Sequence, residues 1–87
     1  MDAFDRIAAR APKQTKQFTT KMLDVADRIH ALMEAKEMSS KDLALALNKE
    51  EAEVNLWLTG RHDLELMMII RLEEVLGQDI LVVPVAA

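Results

Sequence analysis

The sequence predicts an all-α domain of four to five helices, followed by a short extended strand. Over most of the 87 residues, apolar side chains recur three and four positions apart, which is the spacing of one buried helix face. Serine, threonine, asparagine and glycine stand where these runs begin and end, as expected of helix caps. The last segment, DILVVPV at 79–85, is rich in β-branched residues and too short for another good helix.

The N-terminal region is predicted to be interrupted at Pro12. Residues 2–10 have the apolar spacing of one or two helical turns, and proline disfavours a helical conformation in the residue before it. Residues 13–18 are interpreted as a mobile link. Thr19 or Thr20 is expected to cap a helix over about 20–36. The inward face of that helix consists of Met22, Val25, Ile29, Leu32 and Met33.

The second helix, at about 40–47, is predicted from a capping box at its N-terminal end. In this pattern the Ser39 hydroxyl accepts a hydrogen bond from the Asp42 amide, and the Asp42 carboxylate reaches back to Ser39. Asn48 tolerates a left-handed backbone and is therefore the expected turn after the helix. The inward side chains are Leu43, Ala44 and Leu47.

A third helix is predicted at about 50–59, directly after this turn. It is expected to stop at Gly60, because glycine suits the end of a helix. Trp57, the only tryptophan, shares a face with Val54 and Leu58. This placement predicts a core position for Trp57, with base stacking as the alternative.

The fourth helix is predicted to open at Asp63 or Glu65 and to close at Gly77. Its expected inward side chains are Leu66, Ile69, Leu72, Val75 and Leu76. Because Met67, Met68, Ile69 and Ile70 make the helix apolar nearly all round, two of these four side chains are expected to face away from the core. Exposed methionines suit an adaptable interface, and excess coverage of a small core is the alternative.

Charge is segregated along the chain, although the net charge is only −4. Residues 6–23 contain five basic and no acidic residues, whereas residues 31–60 contain three lysines and six acids. We therefore divide the chain into a basic leader at 1–18, partly helical or mobile, a helical domain at 19–77 and a C-terminal tail at 78–87. The leader is either an ordinary solvated face or an arm for phosphates or an acidic partner.

Several function classes find no support in the sequence. There is no cysteine, so disulfides and thiolate metal sites are excluded. His30 and Glu34 lie four apart on one helix without a third ligand nearby, so no metal or other cofactor is expected. No nucleophile-and-base pattern or phosphate-binding glycine loop occurs, and we expect no enzyme. Without a signal sequence or a membrane-spanning run, the expected location is cytoplasmic.

Two short helices joined by a tight turn have the layout of a helix-turn-helix. From Ile29 to Leu81 the chain resembles the Xre/Cro/CI (lambda-repressor-like) helix-turn-helix family, near the HigA-type antitoxins and their stand-alone relatives. The matching segments are MSSKDLALALN, KEEAEVNLWLTGRHDL and LMMIIRLEEVLG, and Trp-Leu-Thr-Gly at 57–60 resembles a family signature. The resemblance implies a lambda-repressor-like bundle that binds double-stranded DNA as a transcriptional regulator, with an autoregulating antitoxin as one form of it.

The resemblance also indicates which residues meet DNA. The outward positions of the third helix are Glu50, Glu51, Ala52 and Asn55, with Leu56 at the margin. Asparagine pairs with adenine, and glutamate accepts from the cytosine amino group. Phosphate contacts are assigned to Lys41 and Lys49, beside the two helix N-termini, and to Arg61 after the third helix, with ordinary solvated charges as the alternative. Ser40 stands where the family often has glutamine, a residue that contacts the phosphate backbone. Three positions depart from the family pattern, namely Ser40, Asn48 in place of the usual glycine, and Lys49 in place of a small apolar residue.

The C-terminal strand predicts a homodimer. A single short strand is rarely stable in water, and the simplest partner is the same strand of a second copy. A strand packed alone over the helices is the alternative. The acidic third helix and the basic leader also leave open another function, a protein-interaction module that neutralises a toxin and has weak or lost DNA binding.

Overall fold

The computed structural model describes the backbone of residues 3–84 and the side chains of residues 12–84. It contains four α-helices in this range, and they are α1 (Ala3–Ala35), α2 (Ser40–Leu47), α3 (Glu51–Leu58) and α4 (Leu66–Leu76). No β-strand occurs within residues 3–84 of the single chain, so the all-α class is confirmed for this range. The predicted strand at 79–85 is irregular from 79 to 84, and residue 85 lies outside the described residues.

Helix α1 is continuous, and the predicted break at Pro12 is wrong. Pro12 lies inside a helix of 33 residues, and the presumed link at 13–18 is helical. A proline has a helical φ and removes only one backbone hydrogen bond, so a long helix can contain it at a cost. Thr19 and Thr20 do not cap a new helix, because their hydroxyls donate to the carbonyls four residues earlier. The helix crosses the proposed boundary at residue 18.

The core lies between the C-terminal half of α1 and the three shorter helices. Helix α3 packs on both α1 and α2, and α4 packs on α2. The side chains with almost no exposure are Ile29, Leu43, Leu47, Val54, Leu72 and Leu76. Every buried residue of the described range is apolar or glycine, which is the arrangement that the helical spacing predicts. None of the helices in this range is long and apolar enough to cross a membrane.

The predicted capping box opens α2. The Asp42 amide donates to Ser39 Oγ at 3.1 Å, and the Ser39 amide donates to Asp42 Oδ2 at 3.0 Å. The hydrogen bond from the Ser39 amide is the main reason why the pKa of the Asp42 carboxyl is lowered. At the other end, Asn48 adopts the left-handed conformation (φ 55°, ψ 49°) that the sequence predicts.

Helix α4 begins and ends as predicted, with Glu65 at its N-cap, but its first residue does not face the core. Gly77 closes it in a left-handed conformation (φ 73°). Leu66 was expected to face the core and is instead 61% exposed, because Leu64 in the preceding segment is buried beside the core. Arg71 donates from Nη2 to the Leu47 carbonyl at 2.6 Å, so α4 satisfies a C-terminal carbonyl of α2.

Candidate nucleic-acid interface

Helices α2 and α3 form a compact pair whose relative placement is set by the turn at Asn48. The Lys49 amide donates to the Ala44 carbonyl at 2.9 Å, which satisfies a C-terminal carbonyl of α2 and reverses the chain within three residues. Helix α3 begins at Glu51, directly after this turn. The N-terminal end of α3 therefore follows the C-terminal end of α2 without a flexible loop.

One face of α3 is anchored in the core, and the opposite face is open. Val54 and Trp57 are 0% and 3% exposed, respectively. The remaining positions of the helix include four exposed side chains, Glu51, Ala52, Asn55 and Leu56. Glu50, which precedes the helix, is also exposed. The four residues predicted to face outward are therefore outward, as is Leu56, and Trp57 is confirmed as a core residue.

A hydrogen bond between α2 and α3 was not predicted from the sequence. Ser40 Oγ donates to Glu51 Oε1 at 3.3 Å, so the first residues of the two helices are joined. Ser40 is half-buried. The contact draws the Glu51 carboxylate towards α2 and occupies the hydroxyl that was expected to contact phosphate. The two residues are eleven apart, and no local signal in the sequence identifies such a pair.

The N-terminal end of α3 has no side-chain cap. Glu50 stands at the cap position with an extended backbone, and its side chain makes no capping hydrogen bond. The Glu53 amide already donates to the Glu50 carbonyl at 3.1 Å, so the donors of this first turn are the amides of Glu51 and Ala52, which carry partial positive charge. This end of α3 therefore presents donors suited to an anion.

The three predicted phosphate-binding cations lie on different segments. Lys41 is in the first turn of α2, Lys49 is in the turn, and Arg61 follows α3. Lys41 and Arg61 are exposed, whereas Lys49 is half-buried. These three positive charges are balanced by the three negative charges of Glu50, Glu51 and Glu53 at the start of α3. The candidate surface is therefore close to electrically neutral.

The exit from α3 fixes the position of Arg61. The Thr59 hydroxyl donates to the Leu56 carbonyl at 2.6 Å and accepts from the Arg61 amide at 3.2 Å. Gly60 has a positive φ of 73° and is buried against α1. Arg61 thus leaves the helix in a fixed direction, beside residues 18–23 in the middle of α1.

His30 lies on the other side of α3 and has a structural contact. Its Nε2 atom is 2.9 Å from the Leu58 carbonyl oxygen. Because a carbonyl only accepts, Nε2 donates the proton, and the histidine ties α1 to the last turn of α3. Among residues 12–84, no group of three or more His, Cys, Asp or Glu side chains could hold a metal ion.

The segment after α4 is held to the helices by three hydrogen bonds, made by two side chains, that the sequence did not predict. Arg28 Nε donates to the Asp79 carbonyl at 3.1 Å. Glu73 Oε2 accepts from the Ile80 and Leu81 amides at 2.8 and 3.0 Å, respectively. Val82 and Val83, which follow, are 69% and 75% exposed. Residues 79–81 are therefore held against the helices, whereas the apolar Val82 and Val83 are not covered by the described chain.

Comparison of this chain with protein-family models, with curated proteins and with solved structures finds no match.

Proposed function

We propose that this chain is a sequence-specific DNA-binding transcriptional regulator of the helix-turn-helix type. The observation that supports the proposal is the pairing of α2 and α3 across a left-handed Asn48, with the core face of α3 buried and its other face open. A helix held in this way can enter the major groove of DNA and present its N-terminal residues to base edges. The Xre/Cro/CI resemblance of the sequence points to the same function.

Base readout in this proposal rests mainly on Asn55. Its side chain is exposed on the open face of α3, and a carboxamide can form two hydrogen bonds with adenine. Ala52 lies three residues earlier on the same face and is small enough to pack on a thymine methyl group. Glu51 is assigned to the cytosine amino group, which requires that its bond to Ser40 be exchanged for the base.

Phosphate attraction must come from a wider area than the α2–α3 pair. Phosphate contacts provide much of the affinity for DNA, and the three cations of the candidate surface only balance the carboxylates of Glu50, Glu51 and Glu53. The amides at the N-terminal end of α3 add partial positive charge without a side chain. The basic leader supplies four further cations, Arg6, Arg10, Lys13 and Lys16, for phosphates or for a partner.

The direct test is a gel-shift assay with the DNA upstream of the gene for this chain. We expect retardation of this DNA in preference to an unrelated fragment of equal length, strongest at about 50 mM salt and much weaker at about 200 mM. If the upstream fragment is not retarded even at low salt, or if the two fragments are retarded equally, the proposed sequence-specific function is wrong.

Asn55→Ala is expected to weaken binding to the preferred fragment about tenfold, because the paired hydrogen bonds to a base are lost. Binding to the unrelated fragment should change little, since the substitution removes no charge. The matched control is Gln78→Ala, which removes an exposed amide beyond α4. An equal effect of both substitutions would contradict the assignment of Asn55 to base readout.

We further infer that the chain is a homodimer whose tails pair across a two-fold axis. The hydrogen bonds of residues 79–81 hold the tail in one direction. The exposed Val82 and Val83 can then pair with the same segment of a second copy. Two recognition helices in one dimer would read half-sites about one helical turn apart.

Deletion of residues 82–87 tests the tail pairing while retaining the anchored base. We expect light scattering to change from about twice the 9.8 kDa chain mass towards the monomer mass at micromolar concentration. The helical circular dichroism signal should persist, because Ile80 and the contacts of Glu73 remain. An unchanged dimer mass would show that the tails do not hold the dimer.

A second candidate function is that of an antitoxin-like protein-interaction module. It is favoured by the carboxylates at 50, 51 and 53, which oppose phosphate binding, and by the basic leader. Co-purification of the full chain with the product of the adjacent gene would support this function. Lack of any complex between the two purified proteins would argue against it.

A further inference from the structure

Two exposed apolar surfaces of this chain carry charges of opposite sign. The first is a groove of about 400 Å³ beside α1, lined by Phe18, Thr19, Met22, Leu23, Gly60 and Arg61. We name it the arm groove. Phe18 and Leu23 are 49% and 45% exposed, so the groove presents apolar area to water. It lies where α1 leaves the bundle.

Basic side chains border the arm groove. Lys21 lies three residues after Phe18 in α1, and Lys16 lies three residues before Thr19, so both are helix neighbours of groove residues. Arg61 contributes a third positive charge from the segment after α3. Asp27, four residues after Leu23, is the one acid among the helix neighbours of the groove residues in α1, so the positive charges prevail. The groove therefore suits an apolar surface with an acidic border.

The second surface is the outer face of α4, formed by Leu66, Met67 and Ile70, which we name the α4 face. Leu66 and Met67 are 61% and 65% exposed, respectively, and Ile70 is 47% exposed. Glu74 continues this face one turn after Ile70, and Glu65 is exposed just before the helix. The α4 face thus has the apolar centre and acidic border that the arm groove requires.

The two surfaces do not meet within one chain. Helix α1 is continuous from Ala3 to Ala35, and every side chain from residue 12 to residue 21 is exposed. Residues 12–21 of α1 therefore have little cover from the rest of the described chain. A rigid helix cannot fold back onto α4, so an intermolecular contact is required to join the two surfaces.

We propose that a second copy of this chain covers these surfaces, with the arm groove of one protomer packed on the α4 face of its partner. Apolar side chains at the centre would exclude water, and Lys16 and Lys21 would face Glu65 and Glu74. In a two-fold dimer the contact forms twice, which doubles the buried area. This contact adds to the tail pairing and does not depend on DNA binding.

A charge-swap series in the full chain tests the proposal by sedimentation equilibrium, which measures the dimer dissociation constant. The arm pair, Lys16→Glu with Lys21→Glu, should raise this constant about tenfold or more, because like charges then face each other. The α4 pair, Glu65→Lys with Glu74→Lys, should do the same. All four changes together should return the constant to within about threefold of the wild-type value, because the charges have exchanged sides.

Two further variants make the series decisive. Glu34→Lys with Glu37→Lys reverses two exposed carboxylates, one in the last turn of α1 and one just after it, and should leave the dissociation constant unchanged. Met67→Gln keeps the side-chain length but removes its apolar character, and should weaken the dimer independently of charge. Circular dichroism confirms that each variant keeps its helices.

Three results would overturn the proposal. The first is a monomeric wild-type chain, and the second is a dissociation constant that changes with neither charge-swapped pair. The third is a variant with all four substitutions that dimerises no more tightly than the variants with two. If the arm pair leaves the dimer unchanged but weakens DNA retention at low salt, the arm binds phosphate and the second copy is not its partner. A return of the dissociation constant towards the wild-type value in the variant with all four substitutions cannot arise from misfolding. Such a return would therefore support the proposed contact directly.

Discussion

Trp57→Ala is expected to lower the free energy of unfolding by about 3–5 kcal/mol, the usual cost of truncating a large buried aromatic side chain. Trp57 is 3% exposed and belongs to the cluster that joins α3 to the other helices. Its removal leaves a cavity under the helix whose open face is proposed to read DNA. Urea unfolding followed by circular dichroism measures the change without relying on tryptophan fluorescence.

The matched control is Leu56→Ala, one position earlier in α3. Leu56 is 52% exposed, so its truncation removes little buried area and should cost less than about 1 kcal/mol. A loss below about 1 kcal/mol for Trp57→Ala as well would mean that the indole ring is not buried in solution. The base-stacking interpretation of Trp57 would then regain support.

Gly60→Ala is expected to destabilise the protein by about 2–4 kcal/mol, the sum of backbone strain and crowding. Gly60 has a φ of 73°, and an added Cβ would lie 2.7 Å from Leu23 Cδ2 and 3.3 Å from Leu23 Cα. The Leu23 methyl group can move, but its Cα atom belongs to the backbone of α1. The substitution should therefore push α1 away from the exit of α3.

Gly77→Ala separates the two contributions to this loss. Gly77 has the same φ of 73°, but the nearest atom to an added Cβ is the flexible Lys36 Nζ at 3.4 Å. The expected loss is about 1–2 kcal/mol, which represents backbone strain alone. Chemical unfolding of both variants measures the difference. Equal losses would contradict the close approach of α1 to Gly60.

Local signals account for much of what the sequence predicts correctly. The bounds of α2, the capping box and the left-handed Asn48 involve residues within a few positions of one another. The inward faces of α2 and α3 follow from the same short-range spacing. The outward positions of α3 follow as the complement of that buried face, so the exposure of Asn55 was predictable once Val54 and Trp57 were assigned to the core.

The errors arise where competing local preferences are decided by the rest of the chain. Pro12 was assigned as a helix end, but helical segments on both sides continue through it. Thr19 and Thr20 have side chains that suit a cap, and inside a continuous helix the same hydroxyls donate to carbonyls one turn earlier. Leu66 has the spacing of a core residue, but Leu64 is buried in the connecting segment.

By itself, the sequence determined the all-helical class and the buried and open faces of α2 and α3, because these depend on contacts between neighbouring residues. Only the tertiary structure decided how the helices are joined. The contact of Arg71 with the Leu47 carbonyl and that of His30 with the Leu58 carbonyl span 24 and 28 residues, respectively. Such pairs form only after the core has brought distant segments together, so no local pattern encodes them.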